Sequence, residues 1–428
     1  MSNSNHNSGQ RNMLIAQSGG PSAAVNASLA GAVAAGMASE KIGHVLGAVH
    51  GMQGLLDRRI VNISEQIESG QDIERLVHTP SMALGSSRYK IKKEVEEKEF
   101  GKITEILKEY DVGYFFYNGG NDSMDTVARL SDYFRGIGED IRAIGIPKTV
   151  DNDLEYTDHT PGFGSAARYI ATSVAEVYLD VTVYPVPTVA IIEIMGRNAG
   201  WLTAASALAR ESTPAPHLIY LPEVVFDMDS FLGDVEEAMG KHPSIVIAIS
   251  EGIHYKNGLY VADTGAPPDA FGHKTLGGAA VECEHYIKRA TDIPNLKTRV
   301  IVPNALQRVG GHVASSTDLE ESYQCGCKAV EAAERGETGV MITIERLSDD
   351  PYVSRFASHG LTDIANKEKK VPASWINELG NDVTDEMVTY LKPLVRGEAV
   401  EQTKGGLPVF YELDRTMLVS PEDVSPAG

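Results

Sequence analysis

The chain has 428 residues, 42% of them hydrophobic and 23% charged, which suits two domains or one large α/β unit and argues against wholesale disorder. A formal net charge of −21 disfavours nucleic acid or an anionic membrane as the main partner, while leaving room for a phosphorylated substrate held by a local cluster of Lys and Arg. The start, MSNSNHNSGQRN, lacks the apolar segment of a secretory signal, and no apolar run reaches the roughly 18 residues of a membrane-spanning helix, so a soluble cytoplasmic protein is expected.

Residues 1–11 read as a disordered tail. The apolar run Met13–Gln17 then ends at SGGPS and leads into the Ala-rich AAVNASLAGAVAAGM, which is the grammar of strand, glycine turn and helix. Val45–Ala48 follows as a strand. The same grammar returns at Val112–Tyr117, with Gly119-Gly120 as the turn and a helix from about Ser123. Further strands are expected at Ile141–Ile146, Thr188–Ile194, Ile245–Ile249, Arg299–Val302 and Val340–Ile344, with helices at Ser165–Leu179, Gly200–Ala209 and Ser322–Arg335. Residues 255–274 read as an inserted hairpin or loop. Strands alternating with helices favour parallel sheets covered on both faces, and their number predicts two α/β domains facing each other. The three cysteines, Cys283, Cys325 and Cys327, lack the spacing of a zinc site and are expected to be reduced and mostly buried.

Glycine turns at strand ends let the backbone approach a phosphate, and the free N–H groups of the following helix favour negative charge. Gly19 and Gly20 stand at one such turn, and Gly119 and Gly120 at another, followed by Asn121 and Asp122. The first turn matches neither a P-loop nor G-x-G-x-x-G and alone reads equally well as a tight strand-to-helix turn, and in the second Asn121 and Asp122 also read as a helix cap. Between strand and loop lies GIPKTVDND, where Asp151 and Asp153 follow Lys148 within five residues. Two acids spaced by one residue point the same way in an extended loop, so one suits a proton acceptor and the other a partner for metal or substrate. Taken alone, Asp-Asn-Asp also reads as a solvated turn. Phosphoryl transfer needs cations as well, and Arg88, Lys148, Arg197, Arg299 and Arg308 all occupy loop-like or strand-end positions. Glu251, at the end of SIVIAISEG, suits sugar hydroxyls.

In order, SGGPSAAVNA, GSSR, GGNDS, GIPKTVDND, IMGRNAGW, SEG and LQRVGG closely resemble the phosphofructokinase family, in particular its pyrophosphate-dependent branch. The resemblance covers most of Met13 to about Ile344, and TVDND and MGRNAGW are its specific parts. It implies two Rossmann-like doubly wound domains with the active site in the cleft between them. The phosphoryl-donor domain would comprise residues 12–162 and about 307–357, and the sugar-phosphate domain 163–306 and about 358–428. It also implies reversible transfer from pyrophosphate to the 1-hydroxyl of fructose 6-phosphate, with Mg²⁺, by a homodimer or homotetramer. Asp151 would be the base, with Thr149 and Asp153 beside it, and Arg197 would steady the phosphoryl group. Met195, Gly196, Glu251, Arg299 and Arg308 would line the sugar-phosphate site together with Thr149, Val150, Asp151 and Arg197. Gly19, Gly20, Arg88 and the Gly119–Asp122 turn would hold the donor and its magnesium.

Two positions bear on the donor. ATP-using members usually carry glycine where this chain has Asp122, and Gly-Thr where it has Lys148-Thr149. A side chain at 122 would crowd and repel the α-phosphate region of a nucleotide. Lys148 adds a cation where a compact pyrophosphate, lacking adenosine contacts, depends on charge-assisted bonds. Three departures from the family pattern stand out. Asn121 replaces a common magnesium-associated aspartate, leaving its amide oxygen as the metal candidate. Ala305 replaces a histidine or tyrosine, and Thr188 replaces an arginine that reaches a neighbouring subunit in ATP-dependent tetramers. An ATP-dependent or mixed-donor kinase is the nearest alternative, and a catalytically silent regulatory subunit is another. The intact Asp151, Asp153 and Arg197 weigh against the second, and the missing G-x-G-x-x-G weighs against a dehydrogenase.

Overall fold

The structure, a computed structural model, describes residues 10–87, 89–261, 263, 278–400 and 402–424. Two sheets organise them. The larger has seven strands in the order β11-β10-β5-β4-β1-β2-β3, comprising β1 (Arg11–Gln17), β2 (Ile42–Ala48), β3 (Ile60–Asn62), β4 (Val112–Gly119), β5 (Arg142–Pro147), β10 (Val340–Asp349) and β11 (Tyr352–Gly360). Its centre is parallel, and only the edge strands β3 and β11 pair antiparallel. The smaller sheet runs β7-β8-β6-β9, all parallel, from β6 (Thr188–Ile194), β7 (Leu218–Tyr220), β8 (Ser244–Ser250) and β9 (Lys297–Ile301).

The sequence shows why these segments are strands. Every residue of β6 and β8 is buried, as continuous apolar runs covered on both faces should be. All eight strands expected from sequence are present, seven of them within three residues of their expected ends and β10 running five residues further, to Asp349, and the second sheet completes the pair of Rossmann-like α/β units. The strands that sequence reading did not place are the short β3 and β7, the two-residue pair β12 (Thr403–Lys404) and β13 (Leu407–Pro408), which forms a small antiparallel hairpin of its own, and the hairpin partner β11, whose partly exposed YVSRFASHG lacks an apolar run.

The helix Val25–Ala38 buries ten of its fourteen residues between the large sheet and the helix Ser316–Glu334. Its composition, almost all Ala, Val, Leu and Gly, fits a helix covered on every side. The two helices touch backbone to backbone: a Cβ on Gly31 would lie 1.9 Å from the carbonyl oxygen of Tyr323, and one on Gly326 would lie 2.0 Å from that of Ser28. Asp318 accepts from the backbone of Gly162 (2.8 Å) and Ser165 (2.9 Å), so this helix also caps Phe163–Val181, the first helix of the second unit.

The sequence boundary near residue 357 falls inside β11. Beyond it, Met387, Tyr390 and Leu391 join the core of the smaller sheet, whereas Leu413 and Val424 return to that of the larger one. The backbone N–H of Val419 donates to Ile60, and Asn12 Nδ2 donates to the carbonyl of Val424. Buried apolar side chains late in the chain hold that return. Among the described residues, no helix is long and apolar enough to cross a membrane.

Candidate active site

Both sheets present the carboxyl ends of their strands to one region, where open α/β sheets bind ligands. The first glycine turn follows β1, the second follows β4, and the acid loop follows β5; Met195–Arg197 follows β6, and Glu251 follows β8. Lys148 ties the first three together. Its backbone N–H donates to Gly119 (3.0 Å), and its buried Nζ donates to the carbonyl of Gly20 (2.9 Å). Gly19 adopts φ +83°, a conformation that favours glycine, and a Cβ there would stand 2.9 Å from the ammonium and displace it. Arg308 approaches the same turn: a Cβ on Gly20 would lie 3.1 Å from its Nη1.

Burial lowers the Lys148 ammonium to about 8, against the opposing pull of Asp151 and Asp153. The acids are displaced the other way. Burial and the negative charge of Glu251 push Asp151 well above the ordinary carboxylate range, with Lys148, Arg197 and Arg308 pulling it back. Burial and the neighbouring Asp151 push Asp153 up as well. A carboxyl group raised in this way is a better proton acceptor near neutral pH than an ordinary aspartate. The Asp151 backbone N–H is held by Thr149 Oγ1 (3.1 Å), and Thr160 Oγ1 donates to the Thr149 carbonyl (2.7 Å), which closes the loop around the acids.

The second sheet brings its part of the site by backbone contact. The Gly196 N–H lies 3.4 Å from Glu251 Oε1, and the Gly196 carbonyl accepts from Ser250 Oγ (2.6 Å). Burial raises Glu251, with Gly196 and Arg197 opposing. A Cβ on Gly252 would strike the Arg197 carbonyl oxygen at 1.9 Å, so the β8 turn packs directly under the arginine backbone. Arg197 Nε is buried without a hydrogen-bond partner among the described residues, leaving a donor for a ligand.

Asp151, Lys148, Arg197, Glu251 and Arg308 therefore share one electrostatic environment, beside Gly19, Gly20 and Gly119. Arg299 does not join them. It lies on the edge strand β9, and its guanidinium pairs with Asp180 on the outer helix Phe163–Val181. Arg88 lies outside the described residues. Asp122 is half-exposed and accepts from Lys90 Nζ at 2.9 Å. Its carboxylate is thus paired with a cation at the surface, where such pairs are weak. Asn121 Oδ1 is a buried acceptor without a partner, which suits one protein oxygen on a magnesium ion. No group of three His, Cys, Asp or Glu residues among the described residues could hold a metal by itself, so a magnesium ion here would draw most of its ligands from phosphate oxygens and water.

Three further residues shape the site without having announced themselves in the sequence. Gln307 is buried and accepts from the Met195 N–H (3.0 Å), setting the start of the arginine loop. Asn152, between the two acids, is fully buried at φ +55° and donates to Tyr390 Oη (2.9 Å). Lys369 contacts the acid loop from more than two hundred residues away.

Two facing α/β units, with a raised carboxyl group and several cations where their strands end, define a phosphoryl-transfer enzyme. Residues 12–333 match the family described as Phosphofructokinase. The chain is 41% identical to the pyrophosphate–fructose 6-phosphate 1-phosphotransferase of Halomonas elongata, over 94% of this chain and 96% of that protein. Among solved structures, the pyrophosphate-dependent phosphofructokinase of Nitrosospira multiformis is 38% identical with a TM-score of 0.85, covering 96% of this chain and 97% of that one. The corresponding enzyme of Marinobacter aquaeolei is 37% identical, with a TM-score of 0.84 over 95% and 96% of the two chains. The protein belongs to the phosphofructokinase family.

Proposed function

We propose that the chain transfers a phosphoryl group reversibly between pyrophosphate and the 1-hydroxyl of fructose 6-phosphate, giving fructose 1,6-bisphosphate and phosphate. Asp151 takes the proton from the 1-hydroxyl as its oxygen attacks a phosphorus of pyrophosphate. The bridging P–O bond breaks, and the second phosphate leaves. Arg197 offers its unpaired Nε to the transferring group. Lys148 and Arg308, converging on the first glycine turn, balance donor charge. Glu251 and the Met195–Arg197 loop receive the sugar. Magnesium fits beside Asn121, where it supplies charge neutralisation on the donor oxygens.

The observation that carries the donor assignment is Lys148: one buried lysine reaches both glycine turns, through its backbone to Gly119 and its ammonium to Gly20. Asp122 supports it by occupying space that a longer donor would need. The unit built on the larger sheet holds the donor, and the unit built on the smaller sheet holds the sugar phosphate. The open edge of β9 carries Arg299, with Tyr184 against Lys297 of the same strand and Leu179 and Leu306 also exposed in the same unit, which supports a homo-oligomer. The reading places the enzyme in the cytoplasm, in keeping with its three free cysteines. Pure protein assayed with each donor in turn should phosphorylate fructose 6-phosphate from pyrophosphate. Turnover with ATP and none with pyrophosphate would overturn the assignment.

A further inference from the structure

The segment from Asn366 to Val371 touches three parts of the site that lie far apart in sequence. Asn366 Nδ2 donates to Asp125 Oδ1 (2.9 Å), on the helix that follows the second glycine turn. Glu368 Oε1 accepts from Asn198 Nδ2 (2.7 Å), next to Arg197. The backbone N–H of Val371 and that of Gly200 donate to the same Glu223 oxygen, at 3.0 and 2.9 Å.

Lys369 lies at the middle of this strap and makes the densest set of contacts. Its backbone N–H donates to the carbonyl of Asp153 (2.8 Å), and its own carbonyl accepts from Trp201 Nε1 (2.8 Å). The ammonium donates to the carbonyls of Asp158 (2.6 Å) and Thr157 (3.1 Å) and approaches Asn152 Oδ1 at 3.4 Å, while lying 5.1 Å from the centre of the Trp201 ring. Every oxygen it meets belongs to the stretch from Asn152 to Asp158, immediately after Asp151.

That stretch needs holding. Asn152 and Tyr156 both adopt positive φ, +55° and +62°, a backbone region that side chains other than glycine enter at a cost of about 1–3 kcal/mol each. Such conformations persist only where surrounding contacts over-determine them. Tyr390 supplies some of those contacts, accepting from Asn152 Nδ2 and donating to the Asp158 carbonyl (2.7 Å). Lys369 adds further contacts beside the Thr160 N–H on Asn152 Oδ1 (3.1 Å), and its carbonyl ties the acid loop by a hydrogen bond to Trp201, whose ring also packs on Tyr390. Burial lowers its ammonium to about 8, against the pull of Asp158, Glu155 and Asp153, so a cation is kept there at a cost that an apolar side chain would avoid.

We infer that Lys369 is a positioning residue for the transfer step, fixing the Asp151–Asp153 loop in register with Arg197. This rests on the reading of Asp151 as the base. Misplacing a base by about 1 Å costs on the order of 100-fold in rate, while substrate binding through the glycine turns and Glu251 is unaffected. The test compares Lys369→Met, Lys369→Arg, Trp201→Phe and Asp151→Ala, each checked by circular dichroism and size, with kcat and KM measured for both substrates. Lys369→Met should lose ~10- to 100-fold in kcat, with both KM values within about threefold of the parent, and Lys369→Arg should recover part of the loss. Trp201→Phe keeps a smaller aromatic face beside the ammonium but removes the indole donor to the Lys369 carbonyl, and should lower kcat without raising KM even if Lys369→Met fails to fold. Parental kcat in Trp201→Phe or in folded Lys369→Met, or a loss confined to KM, overturns the inference. Near-parental activity in Asp151→Ala would instead refute the base assignment, so the two failures are distinguishable.

Discussion

Replacing Lys148 by Met removes a buried cation while keeping a side chain of similar length, and it should move stability and activity in opposite directions. Burial takes the ammonium from 10.5 to about 8, which at about 1.4 kcal/mol for each tenfold corresponds to roughly 3 kcal/mol against the folded state at neutral pH. The sign follows from the depressed value. Below about 8 both folded and unfolded chains carry the proton, and the full penalty applies; between about 8 and 10.5 the folded chain has released it, and the penalty fades. Losing the hydrogen bond to the Gly20 carbonyl offsets about 1 kcal/mol of the gain. The variant should therefore be more stable by about 2 kcal/mol at pH 7, with the advantage shrinking as the pH approaches 10. Activity should fall, because a charge-assisted contact to pyrophosphate is worth about 1.5–3 kcal/mol, or about 10- to 150-fold in kcat/KM for that donor. Chemical denaturation at pH 7 and pH 10, together with pyrophosphate kinetics, reads both effects. A destabilised variant with parental use of pyrophosphate would refute the reasoning.

Asp151→Asn should remove most turnover while leaving the far-ultraviolet circular dichroism unchanged, and near-parental kcat would contradict its role as proton acceptor. In the pH dependence of the forward reaction, the acid limb should lie above the ordinary aspartate value of 3.8, because the folded carboxyl group holds its proton to higher pH. KM for pyrophosphate should rise above about pH 8 as Lys148 loses its charge, and Lys148→Met should lack that rise. Gly326→Ala forces a methyl group against the Ser28 carbonyl, so a loss of about 1–3 kcal/mol or more is expected by thermal unfolding; an unchanged Tm would refute the backbone-to-backbone crossing.

Much of this was legible in the sequence because parallel strands buried on both faces are written as apolar runs, and the phosphate turns and acid loop each occupy contiguous residues at their ends. What lacked such a signature was missed. β3 and β7 are three residues each, and β11 has neither an apolar run nor a clean alternation. Arg299 shows the limit of reading cations at strand ends: the sequence context is the same whether the side chain faces the cleft or, as here, pairs across an outer edge with Asp180. The charge on Asp122 was read without Lys90, thirty-two residues earlier, which only the folded chain brings to it. Gln307 and Lys369 act through backbone groups of distant segments, and no local spacing reveals a bond of that kind.

The central claim is that pyrophosphate is the donor and that one of its phosphorus atoms ends on the sugar. Phosphorus-31 NMR of the enzyme with Mg²⁺, fructose 6-phosphate and pyrophosphate follows those atoms directly. The account predicts that the pyrophosphate signal declines while orthophosphate and a new sugar 1-phosphate appear in equal amounts, and that adding excess phosphate to fructose 1,6-bisphosphate regenerates pyrophosphate. Pyrophosphate persisting unchanged, while ATP added in its place is converted to ADP with the same sugar product, would contradict it.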